Sequence, residues 1–193
     1  MTKDNLHATF ALCAPADIWA ARRRGLRPVA CPAIAGLPPA HAAALALLPI
    51  TDANETLRAF LREVAAREGA VPLPDAVAIF AADPFLHLGE LTELLHDAGI
   101  EAVVNFPTVQ LFDGPFGQTL ERVDLGLDAE IKALGALAAS GFRVHALAVN
   151  KAVSARLTGA GLVSQLRFSE GTPLSGAATA VVFDAGHSDD QGS

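Results

Sequence analysis

Short apolar runs without polar alternation recur along this chain, separated by stretches whose apolar residues fall every three or four positions. The first kind reads as strands covered on both faces, the second as amphipathic helices laid over them. Strands are expected at His7–Cys13, Arg27–Cys31, Ala76–Ala81, Glu101–Asn105, Arg143–Val149, Leu162–Phe168 and Thr179–Phe183. Between them the pattern predicts helices at Asp17–Arg24, Pro39–Leu47, Ala53–Arg67, Gly89–Ala98, Asp128–Ser140 and Lys151–Leu157. Gly25, Gly69, Gly99, Gly141 and Gly159 follow as helix stops. Asp52 with Glu55, ahead of Leu57, Leu61 and Val64, has the spacing of a capping box. This alternation of strand and helix is the rhythm of repeated βα units around a parallel sheet.

The fold class is therefore α/β, a TIM-barrel-like parallel βα repeat. A complete eight-stranded barrel takes about 200 to 250 residues or more, so about seven strands in residues 1–184 imply an incomplete one. One domain is expected there, followed by a small, polar, acidic tail over residues 185–193 that should be mobile. An open barrel leaves unpaired backbone on its first and last strands, so a homo-oligomer or other partner is expected to cover the gap between His7–Cys13 and Thr179–Phe183.

Composition narrows the function classes. Of 193 residues 51% are hydrophobic, enough for a substantial core, and the formal charge of -7 argues against a nucleic-acid partner. The basic cluster Arg22-Arg23-Arg24 stands just before Gly25, where a helix C-terminus favours cations. No apolar run reaches the roughly 18 residues of a membrane span, and Thr2-Lys3-Asp4-Asn5 is unlike a signal peptide. A cytoplasmic protein without a membrane partner is the expectation. Cys13 and Cys31 imply no disulfide framework and read as inert core thiols at neighbouring strand ends. His41, His87 and His96 fall on helical stretches, His145 in a strand and His187 in the tail. No nucleophile elbow, phosphate loop, dinucleotide fingerprint or zinc-binding His pair is present.

Chemistry in such barrels gathers at the C-terminal ends of the strands, which here offer Cys13, Cys31, Asp83, Asn105 with Thr108, Asn150, Glu170 and Asp184. Asp83 before Pro84 also suits a helix cap, and Asp113 before Gly114 suits a turn. Asn105 ends an apolar strand, so its amide must find hydrogen bonds in a crowded place and is expected to line a pocket. Glu130 shares a helix with Ile131, Leu134 and Leu137 and is expected on its solvated face.

The stretch from Asn105 to Glu121 resembles the phosphoenolpyruvate hydrolase-like TIM barrels, whose pattern is Asn-Phe-Pro-Thr-Val-Gly-Leu-x-Asp-Gly-x-Phe-Arg-x-x-Leu-Glu. Gln110 stands where that pattern has Gly, and Gly117 where it has Arg. Leu47-Leu48-Pro49 with Asp52-Ala53-Asn54, and Asp83-Pro84-Phe85, agree in order and spacing, so the likeness extends over roughly Ala11 to Thr172. The resemblance implies a small carboxylate or phosphate substrate. It also implies a Mg²⁺ ion on Asp83 and Asp113, substrate contacts from Asn105, Thr108 and Asn54, and Asp113 and Glu121 as catalytic groups.

Three departures from the pattern accompany it. Leu12-Cys13-Ala14-Pro15 replaces a glycine-rich loop, Arg167-Phe168-Ser169 replaces a segment with histidine, and the arginine after Phe116 is gone. Two functions follow: an enzyme acting on a small keto acid or enol phosphate, or a catalytically degenerate barrel used for ligand binding or assembly.

Overall fold

Every strand expected from the apolar runs forms. The computed structural model describes residues 9–38, 45–46, 52–66, 72–168 and 181–185. The expected helix at Pro39–Leu47 lies almost wholly outside them, as does the tail beyond Ala185. The strands among the described residues are β1 (Thr9–Cys13), β2 (Arg27–Ala30), β3 (Ala76–Ile79), β4 (Ala102–Asn105), β5 (Arg143–Leu147), β6 (Gln165–Phe168) and β7 (Val181–Ala185). β1 to β6 are parallel and hydrogen-bonded in sequence order, two strands short of a complete TIM barrel.

The seventh strand changes one expectation. β7 runs antiparallel and lies between β6 and β1, with Thr9 opposite Asp184 and Leu12 opposite Val181 on one side and Phe168 opposite Phe183 on the other. It closes the barrel. The gap that a partner was expected to cover is filled by the chain itself, because an antiparallel return needs no helical crossover.

Alternate residues of β1 to β6 face the barrel interior, where Phe10, Leu12, Val29, Cys31, Ala76, Ala78, Ala102, Val104, Phe106, Leu147 and Leu166 form one buried cluster. Small alanines on β3 and β4 leave room for the phenylalanines of β1 and the β4 end. The other strand positions, such as Cys13, Val77, Ile79, Val103 and Ala146, face outward and pack under the helices.

Those helices are α1 (Ile18–Arg23), α2 (Ala53–Ala66), α3 (Leu88–Asp97), α4 (Gly114–Arg122), α5 (Leu127–Ala139) and α6 (Lys151–Gly159). Glu55 N donates to Asp52 Oδ1 at 2.9 Å, so the capping spacing ahead of α2 does what it suggested. α1 ends as expected at Gly25, whose φ of +73° suits glycine. Arg22 then reaches Asp75 at 3.2 Å, and Arg27 shares that carboxylate at 2.9 Å.

α4 was not foreseen as a helix from Gly114. Asp113-Gly114-Pro115 reads as a turn, yet proline fits a first helical turn, where its missing N–H has no intrahelical partner. None of its residues is buried. Among the described residues no helix is long and apolar enough to cross a membrane.

Candidate functional site

The end of β4 is built around a carboxylate. Glu130, in the first turn of α5, is fully buried. Oε2 accepts from Asn105 Nδ2 at 3.0 Å, Thr108 Oγ1 at 2.8 Å and Gln110 Nε2 at 3.0 Å, and Oε1 accepts from Val109 N at 2.8 Å. Burial pushes the carboxyl above the usual carboxylate range, opposed by these hydrogen bonds. The two side-chain NH₂ groups and the backbone N–H that face Glu130 can only donate, so the ionised form is the one this shell fits.

The same network reaches β5. Asn105 Oδ1 accepts from Leu147 N at 2.6 Å, while Gln110 donates to Leu147 O at 2.9 Å and accepts from Val149 N at 3.3 Å. Thr108 Oγ1 also accepts from Gln110 N at 3.2 Å, shaping the short 3-10 turn Val109–Leu111. Asn105 therefore points outward, between sheet and helix layer. Asn105 and Thr108 lie in a buried scaffold that fixes the loop after β4. The expectation of a solvated Glu130 is overturned: it lies four residues before Leu134 and seven before Leu137, on the stripe that faces the sheet. That spacing was the available signal.

The two outer motif blocks meet at the end of β3. Asn54, buried in the first turn of α2, donates to Asp83 Oδ2 at 2.7 Å and Phe80 O at 3.0 Å, and accepts from Phe80 N at 3.0 Å. Asp83 Oδ1 accepts from Phe85 N at 2.8 Å. Asp83 thus caps a turn, while α3 begins only at Leu88, because both oxygens are engaged before the helix starts.

The other two acids are less enclosed. Asp113 is exposed at the N-cap of α4 and makes no capping bond. Glu121 turns back over the start of α5, where Oε1 accepts from Leu127 N at 3.1 Å. It sits close above Gly126, where a Cβ would run into its carboxylate. Asp83 and Glu121 line one depression of about 590 Å³ with Asp124, Asp128 and Lys132, over a floor that includes Ala81, Ala133 and Ala136. Asp113 and Glu121 line another of about 320 Å³ with Gln110, Leu120 and Arg156.

The suggested Mg²⁺ donors, Asp83 and Asp113, thus border different depressions, and among the described residues no three His, Cys, Asp or Glu side chains are grouped to hold a metal ion. Cys13 and Cys31 adjoin through Cys31 N donating to Cys13 O at 2.8 Å, but their side chains fall in different core clusters. Burial pushes both thiols up to about 12, which suits inert residues. The departure at Gly117 has a local cause here, since a Cβ would come within 2.7 Å of Phe112 O.

The phosphoenolpyruvate hydrolase-like family model matches residues 39–181, which take in all three blocks. The uncharacterized protein y4oT of Sinorhizobium fredii is 38% identical over 117 residues, 61% of this chain and 58% of that protein. The ToMV resistance protein Tm-1(GCR237) of Solanum lycopersicum is 32% identical over 123 residues, again 61% of this chain but 16% of the plant protein. The aligned parts thus cover less than two thirds of either relative. With the family model spanning most of its length, this chain belongs to the phosphoenolpyruvate hydrolase-like family.

Proposed function

We propose that the chain is a barrel enzyme acting on a small keto acid or enol phosphate over the C-terminal ends of its strands. One observation carries the reading: motif blocks far apart in sequence converge there, Asn54 holding Asp83 at the end of β3 and Glu130 holding the loop after β4. Rigid supports of this kind are what a reacting constellation needs. In this reading Asn54, Asn105, Thr108 and Glu130 position the loops. Asp83 and Glu121 are the groups available for proton transfer, and Lys132, on the same depression, the one available for anion contact.

A second reading, a barrel that binds a ligand or assembles without turnover, draws on a different observation. The side chains of Asn105, Thr108 and Gln110 all bond within the chain. The test is release of phosphate or pyruvate from phosphoenolpyruvate and phosphonopyruvate, with and without added Mg²⁺. Turnover that falls at least 100-fold in both Asp83→Asn and Glu121→Gln supports the enzyme. Absence of turnover, with saturable thermal stabilisation by either compound, supports the binding protein.

A further inference from the structure

The depression of about 320 Å³ beside α4 has Gln110 in its lining, and the Gln110 side chain bonds to polar groups of two other elements. The Gln110 amide nitrogen donates to Glu130 Oε2 at 3.0 Å and Leu147 O at 2.9 Å, and its oxygen accepts from Val149 N at 3.3 Å. Two acceptors and one donor, arranged around a planar group, match a primary carboxamide. Bonds that do not involve this side chain also hold the loop. Asn105, Thr108 and Val109 N tie it to Glu130, and the Gln110 backbone N–H bonds to Thr108. Without that side chain, Glu130 Oε2, Leu147 O and Val149 N would each lose this partner.

We propose that Gln110 plugs, from within the chain, a subsite for the carboxamide end of a small ligand. The subsite selects by charge and by hydrogen-bond sense. A carboxylate there would set oxygen against Glu130 Oε2 and Leu147 O, whereas an amide satisfies both. A keto-acid carboxylate therefore has no place in it, and this inference stands apart from the reaction proposed above.

Propionamide reproduces the side chain that Gln110→Gly removes. Thermal unfolding and proton NMR of Gln110→Gly are followed with propionamide and with propionate, beside the wild type and Gln110→Ala with acetamide and acetate. The expected result is saturable stabilisation of each variant by its matching amide, at least ten times weaker binding of the acid, and no saturable response in the wild type. If either variant is unfolded alone, recovery of folded signal on adding the amide is read instead. Equal responses to amide and acid, or none from either variant, overturn the proposal. Neither readout involves phosphoenolpyruvate, so lack of turnover leaves it untouched.

Discussion

Replacing Glu130 should cost more than any other single change at the β4 end. Glu130→Ala strips the acceptor from four buried donors, on Asn105, Thr108, Val109 and Gln110. An unmade buried hydrogen bond costs about 1 to 3 kcal/mol, but neighbours relax and such losses do not add fully. About 4 kcal/mol is expected, in the range found when a buried charged network is broken. Glu130→Gln keeps the shape and is milder. Its oxygen can take the Oε2 position and retain three donors, which leaves its NH₂ against Val109 N–H, at a cost of about 2 kcal/mol. For a chain of this size each kcal/mol moves Tm by roughly 2 to 4 °C. Urea titration and calorimetry should therefore rank wild type above Glu130→Gln above Glu130→Ala, separated by about 2 kcal/mol at each step. A Glu130→Gln protein within about 0.5 kcal/mol of wild type would refute the idea that a charged carboxylate organises this loop.

Three further outcomes follow from the same geometry. His145 is packed on Phe10, its Nε2 is buried with no hydrogen-bond partner among the described residues, and burial with Arg27 and Arg143 lowers its pKa to about 4. Since the unfolded chain protonates first, stability should be full above about pH 6.5 and fall by roughly 2 kcal/mol toward pH 4. In His145→Phe that part of the slope in pH-dependent urea unfolding should vanish. Gly126→Ala should dislodge the Glu121 carboxylate from the start of α5 at a cost of about 1 kcal/mol. A double-mutant cycle with Glu121→Ala should then be strongly non-additive, and additive losses would show that the two do not touch. Asn54→Ala should cost about 3 kcal/mol, because Phe80 N, Phe80 O and Asp83 lose their partner together, with hydrogen exchange at Phe80 N rising in parallel.

The strands were legible because a buried parallel strand shows as an unbroken apolar run, and Ala102-Val103-Val104 could be little else. Direction was not. Apolar pattern carries no sign along the chain, so the run ending at Phe183 could not be read as antiparallel. Asn105 announced a need for hydrogen bonds, but its partner stands 25 residues later on another element. Only the spacing of Glu130 to Leu134 and Leu137 pointed to it, and the charge hid that hint. Asp83 was legible as a cap and not as the cap of a turn, since that depends on Asn54 arriving from α2. α4 was missed because residues that forbid a helix interior also open one.

The antiparallel last strand has a consequence for how the molecule is made. Thr9 finds its neighbour at Asp184, so a chain emerging from the ribosome carries β1 with one bare flank until residues 181–185 have been synthesised. For that interval the nascent barrel is an open ribbon, able to accept a foreign strand along its edge. Truncation before Val181 should fix the chain in that sticky state.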